Sequence, residues 1–190
     1  MKRTALVFYA VMAPVLAACT AAPTQPSKPA FDAPAAVAAI RAAGRADATE
    51  LDVQPLRDPQ VEDLRQQAAQ LEAKRMYRGS ANLLDQAIAI RPDDPALLQE
   101  RAESALLLRD PAGAAQFAQR AIELGSTVGP LCRRHWEMLR QLAQARTVDV
   151  VIRRGESEAQ ARQRIADAVA DHAKARSQRD ACTVAAHQRY

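Results

Sequence analysis

A chain of 190 residues has room for one domain, or for one domain with a tail. Apolar residues make up 48% of it but aromatics only 4%, and glycines number six; alanine swells the apolar share, which argues against a sheet core and for closely packed helices. The formal charge of +4 includes Lys2 and Arg3 of a segment expected to be removed, and the remaining 24 basic and 22 acidic side chains make no case for a nucleic-acid partner.

Residues 1–18 have a basic start, an apolar stretch from Ala5 to Ala18 and small residues at its end. This is the three-part build of a secretory signal, and its apolar part is shorter than the roughly 20 residues of a spanning helix. Leu16-Ala17-Ala18-Cys19 resembles a bacterial lipobox. The resemblance implies a lipoprotein whose first mature residue, Cys19, is acylated on sulfur and amine, and several acyl chains anchor durably where one binds marginally. An ordinary cleaved signal or an uncleaved inner-membrane anchor is the alternative. Thr20, not Asp, follows the cysteine; by resemblance to Gram-negative sorting this implies the outer membrane, with the protein facing the periplasm.

Residues 19–58 read as a Pro/Ala-rich tether, with Pro23, Pro26, Pro29 and Pro34 closely spaced and Pro55 further on. Such a stretch holds no packed core and extends by up to about 3.1 Å per residue. Residues 35–48 could form a short alanine-rich helix that Gly44 weakens, and low order is expected until about Pro59.

From residue 61 the pattern becomes helical and repeats. Residues 61–94 align with 95–128 at an offset of 34: Leu64 meets Leu98, Ala68 meets Ala102, Ser80 meets Ala114, and Ala87-Ile88 meets Ala121-Ile122. Small residues recur where two helices must approach closely. The pattern resembles the tetratricopeptide repeat (TPR), whose small positions match Ala68/Ala102, Ser80/Ala114 and Ala87/Ala121. Its closing proline matches Pro92 and its aromatic before the second helix matches Tyr77. The copies depart from the pattern where leucine replaces the leading tryptophan, where Ser126 replaces the second closing proline and where Pro111 replaces the aromatic. Asp58-Pro59, Asp94-Pro95 and Asp110-Pro111 supply a capping carboxylate followed by a proline that loses no helical N–H, so each starts a helix. Two repeats are few, since each buries its apolar face only against neighbours.

After Gly129-Pro130 no third copy follows, but helical periodicity does. Leu131, His135, Met138, Leu139 and Leu142 share a face that Val148, Val151 and Ile152 can prolong, although the β-branched run at 148–152 also suits a short extended segment. Gly155 offers a stop, Ser157 to Gln160 a capping box, and Ala161, Ile165, Ala168, Val169 and His172 the stripe of a second helix. Antiparallel pairing about Gly155 brings Cys132 and Cys182 together at the far end of residues 129–182, leaving 183–190 as a tail. With Cys19 acylated, they are the even pair available for a disulfide in an oxidising compartment. Two free buried thiols are the alternative. Zinc held by Cys132, His135, Cys182 and His187 is a weaker reading, because the second spacing is loose and His187 sits near the chain end; no metal or cofactor is expected. His135 and His172 could also face each other inside the hairpin, and Trp136 is expected to pack against the last repeat.

The fold expected is therefore all-α: about two TPR-like repeats over 59–128, capped by a C-terminal antiparallel helix pair. No phosphate loop, nucleophile elbow or carboxylate pair stands out, so no enzyme activity is expected. Helical repeats build a concave surface that binds peptides or protein elements. The expected function is an envelope-lipoprotein adaptor whose partner is an unidentified protein or peptide and whose membrane attachment is its lipid anchor. The first-helix positions nominated for partner contact are Gln67, Gln70, Lys74, Arg101, Ser104 and Leu108. The alternative starts from charge: residues 58–128 carry 8 basic and 11 acidic side chains, residues 131–190 carry 12 and 7. A basic C-terminal patch with Arg133, Arg134, Arg140, Arg153 and Arg154 suits an acidic partner, anionic lipid or cell-wall polymer, with the repeats as a spacer.

Overall fold

The computed structural model describes residues 31–45, 58–148 and 152–183. Cys19, the signal, Pro23 to Pro29, residues 149–151 and His187 lie outside the described residues. Among the described residues seven helices follow one another: α1 Ala33–Ala43, α2 Pro59–Ala73, α3 Tyr77–Ile90, α4 Pro95–Leu107, α5 Pro111–Leu124, α6 Pro130–Val148 and α7 Glu158–Ala181. With no strand among the described residues, the chain is all-α.

Five of these starts carry a side-chain cap. The Asp58 carboxylate accepts from Gln60 N–H at 2.8 Å, Asp94 from Ala96 N–H at 2.8 Å and Asp110 from Gly113 N–H at 2.9 Å, each ahead of a proline at the first position. Asp32 caps α1 in the same way through Ala35 N–H at 3.1 Å. At α7, Ser157 and Gln160 form a reciprocal capping box.

The offset of 34 reappears in the turns. Arg75 and Arg109 both have left-handed backbone, with φ of 59° and 61°. The N–H of the following residue reaches back five positions in each case, Met76 to Leu71 O and Asp110 to Ala105 O, both at 2.9 Å. These are Schellman closures built without the usual glycine. Arg109→Gly is accordingly expected to stabilise by about 0.5–1 kcal/mol, since an L side chain is strained there. Thermal melting checks this: a rise in Tm of about 3 °C is expected.

Successive helices pack as hairpins, α2 on α3, α4 on α5 and α6 on α7, with α3 against α4 and α5 against α6. Helix α4 also meets α6 directly. The seams are lined by small side chains, among them Ala68, Ser80, Ala87, Ala102, Ala114, Ala118 and Ala121, all buried. Central α4 is buried nearly all round, from Leu97 to Leu106.

Helix α1 is the short alanine-rich helix that residues 35–48 could form, and it is packed where low order was expected. It packs on α4 and α6 and buries Ala33, Ala36, Val37 and Ile40, the last at 0% exposure, in one core with Ala102, Ala105, Leu106, Met138 and Leu142. Those four positions at i, i+3, i+4 and i+7 give even an alanine-rich segment a complete apolar stripe. Gly44, expected to weaken the helix, instead permits its close approach: a Cβ there would lie 3.0 Å from Arg134 Cβ and 3.3 Å from Pro130 O.

The α6–α7 hairpin turns at Gly155, which has φ of +81°. Val148 closes α6, and most of the run over which helix and extended readings competed lies outside the described residues. The seam of α7 is narrower than the predicted stripe: Ala161, Ala168, Ala175 and Cys182 recur every seven residues and are buried, whereas Val169 is 54% exposed. At the far end Cys132 and Cys182 are at bonding distance, with Cα atoms 5.7 Å apart, and Gly129 N–H donates to Cys182 O at 2.8 Å. No helix among the described residues is long and apolar enough to cross a membrane.

Candidate partner groove

Small residues such as Ala68 point from α2 into the seam with α3, which leaves the neighbouring face of α2 open. That face, Glu62, Arg65, Gln66, Ala69, Glu72 and Ala73, forms one wall of a cleft of about 450 Å³. Ala68, Ser80 and Leu84 of the α2–α3 seam, Glu100 of α4, Arg134 of α6 and Arg41 of α1 complete it. Adding 34 to Arg65, Ala69 and Glu72 gives Gln99, Glu103 and Leu106, the corresponding face of α4. There the groove is filled, because α1 lies across it.

Ion pairs span the groove. Arg41 donates to both oxygens of Glu72, at 2.7 and 2.9 Å, and from Nε to Glu103 at 2.8 Å. Arg134 donates to both oxygens of Glu103 at 2.5 and 2.7 Å, and Gln99 Nε2 adds a third donor at 2.9 Å. Arg65 bridges Glu62 and Glu100. Glu103 is 0% exposed. Burial pushes its carboxyl up, but the charges of Arg134 and Arg41 and the hydrogen bonds from Arg134 and Gln99 outweigh it, so the pKa falls below the usual carboxylate range.

The network ends on His135, which is 1% exposed. Gln99 spends its amide on Glu103, so its carbonyl faces His135 Nδ1 at 2.7 Å. A neutral ring that donates from Nδ1 fits, leaving Nε2 buried and without a protein partner. Burial, reinforced by Arg134 and opposed by Glu103, lowers the His135 pKa from 6.5 to about 4. A folded value below the unfolded one means that this stability is complete above pH 6.5 and is lost as pH falls towards 4, by about 3 kcal/mol at pH 4. Urea unfolding at pH 7 and pH 4 checks this. His135→Leu should be the weaker protein at pH 7 but should lose that part of the slope; an unaltered slope would place the titration elsewhere.

None of the six nominated residues lines the cleft. Gln67, Gln70 and Lys74 are exposed on the next face of α2, where Gln67 donates to Asp63 at 2.8 Å. Arg101 turns away, to Asp85 on α3 at 2.6 Å and over the Phe117 ring of α5 at 4.8 Å. Ser104 is buried and Leu108 caps the end of α4. On α2 the nominated residues lie about one residue out of phase with the cleft wall, and one residue turns a helix by about 100°. The signal was present: the face of α2 beside Ala68, taken at i, i+4 and i+7 from Arg65, is that of the groove.

Other expectations are located as follows. His135 and His172 do not meet: Arg140 donates to His172 Nε2 at 2.8 Å, and burial followed by the Arg140 charge lowers the His172 pKa. Trp136 lines, with Pro111, Ala115 and Gln119 of α5, a second cleft of about 620 Å³ that also includes Leu139 and Ala175. Among the described residues no cluster of three or more His, Cys, Asp or Glu is placed to hold a metal ion. In the basic patch, Arg133 donates to Ala43 O and Arg45 O at 3.1 Å each, Arg134 holds Glu103, and Arg140 holds Glu137 at 2.6 Å. These three arginines are tied into the fold, while Arg153 and Arg154 are exposed.

No protein-family model matches the chain, and no curated protein matches its sequence.

Proposed function

We propose that the chain is a non-enzymatic protein-interaction adaptor, with two TPR-like hairpins capped by the α6–α7 hairpin. The observation that carries this reading is the groove over α4 and α2: half of it already holds a helix, and the other half stands open beside α2. Recurrence of the turn geometry at 34 residues supports the repeat assignment. In the cleft Glu62, Glu72 and Glu100 each pair with an arginine, which suits binding and orientation rather than proton transfer. Lipidation at Cys19 and a periplasmic address complete the proposal, and the bonded cysteine pair supports an oxidising compartment.

Cross-linking in intact envelopes tests the adaptor reading. A stoichiometric protein adduct that disappears in an Ala69→Arg variant, which blocks the cleft, is expected. Retention on the cell wall that salt abolishes, with no protein adduct, would favour the basic-hairpin alternative instead.

A further inference from the structure

We infer that α1 occupies the groove as a ligand in cis, and that the partner it holds the place of is a short amphipathic helix of the same chemistry. This rests on reading the groove as the partner site and adds what the site recognises. Three features of the seat point to a helix as occupant. It is apolar where α1 presents small residues: Ala33, Ala36, Val37 and Ile40 meet Ala102, Ala105, Leu106, Met138 and Leu142. It is acidic where α1 presents its cation, since Arg41 lies between Glu72 of α2 and Glu103 of α4. It is basic where α1 ends, since the Arg133 guanidinium takes the carbonyl of Ala43, one of those a helix leaves unpaired at its C-terminus, and that of Arg45 just beyond it.

The seat therefore reads an alanine-, valine- and isoleucine-faced helix with an arginine one position after its last large apolar residue. It also reads the end of that helix, and Gly44 lets the end lie flat against α6. The Arg41–Glu72 pair joins α1 to α2 and both residues line the open cleft, so the open cleft and the filled seat are continuous. A tethered helix lowers the apparent affinity for a free competitor by the fraction of molecules whose seat is empty.

The probe is a labelled synthetic peptide of residues 31–45, FDAPAAVAAIRAAGR. Its binding to the full chain is followed by fluorescence anisotropy. The comparison protein is the full chain carrying Ile40→Asp and Arg41→Glu, which unseat its own α1 and leave α2 to α7 unaltered. The variant is expected to keep its helical circular dichroism and cooperative unfolding and to bind the peptide about ten-fold more tightly than the unaltered chain. The same two substitutions placed in the peptide should abolish binding. A variant that unfolds as a whole makes α1 an integral core helix and overturns the inference; so does a folded variant that fails to take the peptide. Peptide capture with no envelope partner leaves the inference standing and removes the adaptor reading. An envelope partner attached through the cleft, with no peptide capture, does the reverse.

Discussion

Glu103→Ala is expected to lower the unfolding free energy by about 3 kcal/mol, at the low end of the 3–5 kcal/mol typical of breaking a buried ion pair. The carboxylate is fully buried and receives Arg41, Arg134 and Gln99. Its removal leaves two guanidiniums and an amide facing an apolar gap. The loss stays at the low end because both arginine side chains keep partial exposure, 43% and 21%, and can turn to water. Urea unfolding measures the effect. Replacing Glu103, Arg41 and Arg134 together by methionine should recover most of the stability, because the desolvation of all three charges disappears with them. If the triple variant is as weak as Glu103→Ala, packing rather than charge explains the loss.

Joint replacement of Cys132 and Cys182 by serine is expected to destabilise by about 4 kcal/mol in the chain-entropy model, since the bridge closes a separation of 50 residues. The effect should be local. The seam of α7 buries chiefly Ala161, Ala168 and Ala175, which remove little apolar surface from water, so the bridge supplies much of what holds α7 on α6. Hydrogen exchange should show α7 losing protection first, while α2 to α5 keep theirs. Uniform loss across all helices would mean that the hairpin and the repeats unfold as one unit.

Much of this architecture was legible because its signals are local. The aspartate-proline pairs name the starts of α2, α4 and α5, and the small residues at the 34-residue offset name the seams. Phase round a helix was not legible. Gln67 and Gln70 are as polar as Gln66 and Glu72, and only the position of α4 and α1 decides which of them face the groove. Long-range pairings were hidden for the same reason: nothing near Glu103 announces Arg41, 62 positions earlier in the chain. Helix α1 was hard to place because alanine and a proline-rich neighbourhood read as a tether. Its Asp32 cap and the Val37–Ile40 stripe become decisive only beside an apolar seat.

Site-specific photo-cross-linking in the envelope tests the groove most directly. A cross-linking side chain at Ala69, on the cleft wall, is compared with one at the adjacent Gln70, exposed on the next face of α2. The groove predicts a discrete protein adduct from position 69 and none from position 70. Equal adducts from both positions, or an adduct from 70 alone, would contradict it.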